Sequence, residues 1–154
     1  MTSPKKTNPS LAALVALIGR WDMEIRWSPK THELVGGPST VRGTARFEWI
    51  EDGHFIVQYQ GGREGLSEAR WLVGRDETSR DYCILYSDAR GISRIYQMSF
   101  EDRVLRIWRN APSLSQRFEG RLSDDGHSIE AHWEKSADGK NWEHDFDLKY
   151  VRAD

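Results

Sequence analysis

The stretch that decides the fold is residues 128–152, SIEAHWEKSADGKNWEHDFDLKYVR. Apolar and polar side chains alternate over residues 128–135 and again over residues 142–152, and this period of two is typical of strands with one buried face. Between the two runs, Asp138-Gly139 lies in a polar turn, so the stretch predicts a β-hairpin. The inner face of the second run is predicted to carry Trp142, His144, Phe146, Leu148 and Tyr150.

The same alternation recurs along the chain from Trp21 onward, interrupted by turn residues every eight to twelve positions. The predicted strands lie near residues 21–27, 41–49, 54–60, 67–74, 82–87, 92–100, 103–110, 115–122, 128–135 and 142–152. The fold class is therefore all-β: an antiparallel closed β-barrel of about ten strands, because closure removes the exposed sheet edges. A barrel of this size encloses more space than its side chains must fill, which predicts an internal cavity.

Before the first strand, residues 1–8 are polar and predict a disordered tail, and residues 9–154 form one domain. Residues 10–18 predict a short capping helix with Ser10 as its N-cap, because Leu11, Leu14, Val15 and Ile18 fall at α-helical spacing. Such a helix is too short to be stable alone and is expected to cover one end of the barrel. Residues 28–38 are expected to be a loop.

Composition narrows the classes of function. The net charge is −2, whereas a general nucleic-acid binder carries an excess of positive charge, so this class of function is not expected. No apolar run is long enough for a membrane span, so we expect no membrane partner and a cytoplasmic location. The single cysteine, Cys83, excludes an internal disulfide and the multi-cysteine metal patterns.

Three segments give the chain a resemblance to a known family. They are Gly19-Arg20-Trp21 at the start of the first strand, residues 47–58 (FEWIEDGHFIVQ), and residues 136–142 (SADGKNW). Over residues 11–152 the sequence resembles the DUF1579 family of calycin-like barrels, which are similar in shape to lipocalins and nitrobindin. The resemblance implies a β-barrel with a central cavity and no common activity. After Gly19-Arg20-Trp21 the chain lacks the later glycines of the Gly-x-Trp-x-Gly-x-Gly pattern of nitrobindin-type haem proteins.

The candidate ligand-binding residues are aromatic side chains, together with polar side chains that share a strand face with apolar neighbours. Because a buried charge is costly unless it is paired or used, such residues favour a cavity that recognises a carboxylate or phosphate. They are Trp27, Trp49, Gln58, Trp71, Tyr86, Arg94, Tyr96, Arg106, Trp108 and His144. The inner face of the seventh strand stays open, since Leu105 and Ile107 are as apolar as Val104 and Trp108, and a shift of one residue exchanges the faces.

These residues predict binding of a small hydrophobic or amphipathic molecule, anionic ones included, with no cofactor, no metal and no catalytic residues assigned. An alternative is an enzyme or haem protein that uses His144 in the same cavity as acid, base or iron ligand. A further alternative is a structural module in which one apolar face of the seventh strand points outward and forms a homodimer.

Overall fold

A computed structural model describes residues 6–62 and 67–153, which form a closed antiparallel β-barrel of ten strands. The strands are β1 (Gly19–Trp27), β2 (Thr40–Ile50), β3 (Phe55–Gly62), β4 (Ala69–Arg75), β5 (Tyr82–Asp88), β6 (Ser93–Glu101), β7 (Val104–Arg109), β8 (Ser115–Leu122), β9 (Ser128–Ser136) and β10 (Glu143–Arg152). Each strand pairs with the next along the chain, and β10 pairs with β1. The predicted fold class is confirmed. Most of the predicted tail, residues 1–5, lies outside the described residues.

The final hairpin closes the barrel. Strand β10 pairs with β1 from Trp21 opposite Arg152 to Trp27 opposite Phe146. The turn between β9 and β10 is held by Asp138, whose Oδ1 accepts hydrogen bonds from the backbone N–H groups of Lys140 and Asn141, each at 2.8 Å. These bonds stabilise the carboxylate and hold the pKa of Asp138 well below its usual range.

The N-terminal helix covers one end of the barrel, here called the closed end, as a 3₁₀ helix over Pro9–Leu17. Its buried residues are Leu11, Leu14 and Leu17, spaced by three, which is the period at which side chains align in a 3₁₀ helix. The α-helical spacing that the sequence predicted is therefore wrong, and Val15 is 53% exposed. The N-cap is Asn8, whose side chain accepts from the backbone N–H of Ser10, so the prediction of Ser10 as cap is also wrong.

Side chains from the two closing strands fasten this helix. Trp21 is fully buried, and its Nε1 donates to the carbonyl oxygen of Leu17 at 2.9 Å. The guanidinium of Arg152 lies 4.1 Å from the Trp21 ring centroid and donates to the carbonyl oxygens of Ile18 at 2.8 Å and Ala16 at 2.7 Å. Because the last turn of a helix leaves its carbonyl groups without helical partners, a cation at this position satisfies them.

A second helix, α1 (Pro29–Val35), lies beside the opposite end of the barrel, here called the open end. The prediction that residues 28–38 form a loop is therefore wrong for Pro29–Val35. The Oγ of Ser28 accepts from the backbone N–H of Thr31, and Pro29 occupies the first turn, where its missing N–H has no cost. Thr31 is buried and its Oγ1 donates to Asp145 Oδ1 at 2.8 Å, which ties α1 to β10.

Replacing Arg152 by methionine tests the role of the fastened helix. The substitution keeps much of the side-chain volume but removes both hydrogen bonds to the helix carbonyls and the contact of the cation with Trp21. We expect the free energy of unfolding to fall by about 2 kcal/mol, measured by urea denaturation. Arg121→Met on the exposed face of β8 is the control and is expected to change it by less than about 0.5 kcal/mol. Equal losses in both variants would contradict the assignment.

Tyr150 predicts how the stability depends on alkaline pH. Burial raises the pKa of Tyr150 from its ordinary value of 10.0 to about 12, partly opposed by the hydrogen bond from Gln58. Between these two values the unfolded chain loses the phenol proton while the native barrel keeps it. The contribution of Tyr150 is therefore complete below pH 10 and is lost as the pH rises towards 12.

Tyr150→Phe should show a shallower loss of unfolding free energy over this alkaline interval than the native sequence, when both are followed by urea denaturation at a series of pH values. Identical slopes for the two proteins would contradict the raised pKa. The two proteins differ only at residue 150, so the difference between the slopes reports Tyr150.

Candidate functional site

The closed half of the barrel interior is filled by side chains. Beneath the 3₁₀ helix, an enclosed space bordered by Leu14, Leu17, Trp71 and Ile107 has a volume of about 20 Å³. This is room for about one water molecule and not for a ligand. The prediction of a ligand-sized internal cavity is therefore wrong for this half of the barrel.

Above this space, aromatic side chains from opposite walls meet across the barrel and form what we call the aromatic layer: Trp71, Tyr86, Tyr96, Trp133 and Phe146. Ring centroids are 4.5 Å apart for Trp71 and Tyr86, 6.1 Å for Trp71 and Trp133, and 6.3 Å for Trp133 and Phe146. Several of the contacts are edge-to-face, a favourable arrangement of aromatic rings. The layer separates the closed half from the open end.

Polar side chains follow the aromatic layer towards the open end, on the inner face of the strands. We call Arg94, Arg109, Gln116 and Lys135 the rim. Arg94 pairs in register with Tyr86, Arg109 with Gln116, and Gln116 with Lys135. All four are partly buried. The rim therefore presents two guanidinium groups, an ammonium group and an amide directly above aromatic rings.

The two arginines of the rim contact the phenol rings beneath them. The Cζ atom of Arg94 lies 6.0 Å from the Tyr86 ring centroid, and that of Arg109 lies 5.9 Å from the Tyr96 centroid. The Tyr96 hydroxyl donates to Gln116 Oε1 at 2.7 Å. Burial raises the pKa of Tyr96, opposed by the nearby guanidinium groups, so the phenol is protonated at neutral pH.

The carboxylates near the rim are paired with groups other than Arg94 and Arg109. Asp88 accepts from Arg90 at 2.7 Å and from the Tyr86 hydroxyl at 2.7 Å. Asp145 lies 3.4 Å from Lys135 Nζ and also accepts from Thr31. These contacts leave the two rim arginines without a neutralising partner from either residue.

Arg94 and Arg109 consequently carry uncompensated positive charge. Within residues 6–62 and 67–153, neither guanidinium has a carboxylate at ion-pair distance. In the same part of the chain, the Nε of Arg109 is a buried donor without a hydrogen-bond partner. Buried donors without partners are rare because they forfeit their hydration, and this one belongs to a cation.

The wall of the barrel is incomplete beside these arginines. The β6–β7 ladder runs from Glu101 opposite Val104 to Gln97 opposite Trp108 and stops there. A groove of about 550 Å³ begins at this point, here called the side groove. It is lined by Leu85, Ser93, Arg94, Ile95, Gln97, Trp108, Arg109, Asn110 and Ala111.

Seven of the ten residues predicted to bind a ligand lie on the inner face of the barrel. They are Trp27, Trp49, Gln58, Trp71, Tyr86, Arg94 and Tyr96. Gln58 and Trp49 lie in or near the closed half, where Gln58 Nε2 donates to the Tyr150 hydroxyl at 3.3 Å. Tyr86, Arg94 and Tyr96 come together beneath and within the rim.

Arg106 and Trp108 lie on the outer face, so the prediction that they line the interior is wrong. The turn before β7 consists of Asp102 and Arg103, both at positive φ (52° and 65°), instead of Glu101 and Asp102. Met98 pairs with Ile107, so Leu105, Ile107 and Arg109 point inward. A turn at Glu101-Asp102 would shift the register by two residues and leave the same face inside, so the error lay in choosing between two apolar faces of β7. Arg106 is exposed and its Nε donates to Glu119 at 3.1 Å.

His144 also lies outside the barrel, which contradicts its predicted place in the interior. A β-bulge between His144 and Phe146 adds one residue to β10 and reverses the alternation before it. His144 is exposed and its Nε2 lies 2.9 Å from Asp147 Oδ1. Asp145 turns inward in its place, with a side chain that is 14% exposed. An interior acid, base or iron ligand at His144 is therefore excluded by its position.

Arg109, Gln116 and Lys135 are rim residues that were not among those predicted from the sequence. For Gln116 and Lys135 a signal was present, because they share strand faces with Phe118 and Trp133. Arg109 could not be recognised, because it depends on the face of β7 that the pattern left open. The described residues contain no group of three or more His, Cys, Asp or Glu that could hold a metal ion. Among the helices described for this chain, none has the length and apolar character that a membrane crossing requires.

Comparison with known proteins gives a fold relationship. Neither a family model nor a curated protein matches the chain. The chain is similar to the crystal structure of Rv2717c from M. tuberculosis, with a TM-score of 0.66, 15% sequence identity, and coverage of 97% of this chain and 100% of that chain. At this identity the likeness shows the fold alone. The resemblance to DUF1579 and the calycins is not confirmed by a family match, while the ten-stranded barrel has a solved structural relative.

Proposed function

We propose that the protein binds a small anionic molecule at the rim, through the guanidinium groups of Arg94 and Arg109. The observation that carries this proposal is the buried Nε of Arg109, which has no acceptor among the described residues. An unpaired buried donor costs about 1–3 kcal/mol, and more when it is charged. A carboxylate or sulfonate oxygen at the rim would supply the missing acceptor and offset the positive charge.

The surroundings of the two arginines favour an anion that also has an apolar part. A planar guanidinium presents paired N–H donors that match a carboxylate, and the faces of Tyr86 and Tyr96 supply apolar surface beside it. The proposed ligand is therefore amphipathic, with the anionic group at the rim.

The proposal assigns binding and no chemical step. Tyr96 lies beneath Arg109, donates to the Gln116 amide and is influenced by the guanidinium groups of Arg94 and Arg109. The Tyr96 phenol is protonated at neutral pH and its O–H donates to Gln116, so the proposal gives these groups a role in binding and assigns no proton transfer.

Comparing Arg109→Met with Arg106→Met tests the proposal. Both arginines belong to β7 but lie on opposite faces. We expect Arg109→Met to weaken binding of naphthoate by at least about tenfold, because a hydrogen bond to a charged group is lost, and Arg106→Met to leave it unchanged. The measurement is calorimetric titration, with uncharged naphthamide as the matched ligand that should bind weakly to all three proteins.

The free energy of unfolding of Arg109→Met is a second, independent measurement. Since Arg109→Met removes a buried donor without a partner, its free energy of unfolding should be unchanged or higher by about 1 kcal/mol. Weaker naphthoate binding together with retained stability would separate a lost contact from a damaged fold. Naphthamide binding as tightly as naphthoate, or equal effects of the two substitutions, would refute the anion site.

A further inference from the structure

The break in the barrel wall beside the rim is a structural feature separate from the charge of the arginines. Residues 93–96 of β6 pair with β5 and not with β7, while Arg109 of β7 pairs with β8. In an antiparallel sheet, alternate residues direct both backbone polar groups to the same neighbouring strand. Part of this segment of β6 therefore faces the opening without a ladder partner, next to Arg94 and Arg109.

Three large apolar side chains lie on the outer surface at the opening. Leu85 and Ile95 face each other across the β5–β6 ladder and are 48% and 60% exposed. Trp108 lies on the outer face at the last pair of the β6–β7 ladder. These three residues line the side groove together with Arg94 and Arg109. One continuous groove thus has cationic and apolar parts.

We propose that the ligand is an amphipathic anion bound through the barrel wall, with its head at Arg94 and Arg109 and its apolar tail outside, in the side groove. This inference rests on the proposed function and names the ligand class for the same site. The aromatic layer fills the middle of the barrel, so an inward tail would have to displace packed rings. The groove volume of about 550 Å³ lies within the range of small-molecule sites.

The positive charge of the two arginines favours an anionic ligand in the side groove over a second copy of the chain. In a symmetric dimer formed through the side groove, each subunit contributes the same patch. Arg94 and Arg109 of one subunit would then lie near those of the other, and their like charges would oppose association. An anion instead neutralises the two guanidinium groups while its tail covers Leu85 and Ile95.

The test is a series of para-alkylbenzenesulfonates with no chain, a butyl chain and an octyl chain, titrated by calorimetry below their micelle concentrations. Full burial of a methylene increases affinity about fourfold, and the open groove should give roughly twofold per methylene. The double variant Leu85→Thr/Ile95→Thr keeps strand-forming side chains but removes the apolar surface. Val151→Thr, at a 44% exposed position on β10, is the matched control.

The expected result is a rise in affinity with chain length in the native protein and in Val151→Thr, and little rise in the double variant. Binding of unsubstituted benzenesulfonate should be the same in all three proteins, because its contacts are those of the rim. Circular dichroism of the double variant confirms that the barrel is intact, so a lost dependence on chain length is assigned to the groove.

Other outcomes overturn this inference in distinguishable ways. Chain-length dependence that persists in the double variant would place the tail elsewhere. Binding that does not depend on chain length would support the anion site and contradict binding of the tail in the side groove. If no member of the series binds, and Arg109→Met binds naphthoate as the native protein does, the proposed function is contradicted as well. Self-association by light scattering that the double variant abolishes, without chain-length dependence, would assign the groove to a second copy.

Discussion

The packing of Trp133 against Trp71 across the middle of the barrel is the contact on which the rest of the structure depends. A ring of ten strands encloses more volume than aliphatic side chains fill, and an unfilled interior would lose dispersion contacts on every wall. Trp133 fills this volume, because it also contacts Tyr96, Phe118 and Phe146, whose ring centroids lie 5.2–6.3 Å from its own. The aromatic content that suggested a cavity wall in the sequence is largely the filling of the barrel.

Filling the middle has a consequence for function. With the closed half sealed beneath the 3₁₀ helix, space for a ligand is left at the open end and through the wall. The site is therefore built from strand ends, where β7 and β8 contribute Arg109 and Gln116 just before and after their connection. Ladder pairing can stop at strand ends without disturbing the barrel, and this makes a lateral opening compatible with a closed fold.

The ten strands and their order could be predicted from the sequence because alternation and turn residues are local signals. The face of a strand is less secure, since one added or shifted residue reverses it. The bulge at Asp145 is such an event, and it leaves no mark in the sequence, so His144 was assigned to the interior. Arg106 and Trp108 were misplaced for another reason: β7 is apolar on both faces, so its alternation does not identify the inner one.

The predictions for the two helices were wrong for a different reason. Leu11, Leu14 and Leu17 are spaced by three, and this spacing fits an α-helix only in part. The type of helix is decided by packing at the closed end. Ser28-Pro29, by contrast, is a recognisable helix start. The site itself could be predicted only partly, as Tyr86, Arg94 and Tyr96, because Arg109 depends on the face of β7.

Two local violations of folding rules coincide at the rim. A buried guanidinium nitrogen without an acceptor and a ladder that stops short of its strand ends each lower stability, and either could be removed by ordinary substitutions. Sequences that fold well satisfy their rules at most positions and depart from them where function requires it. Unpaired polar groups scattered over the barrel would carry no such meaning. Here the unpaired cation and the unpaired strand segment lie beside the same groove, and an amphipathic anion is a ligand that satisfies the cation and covers the apolar surface at once.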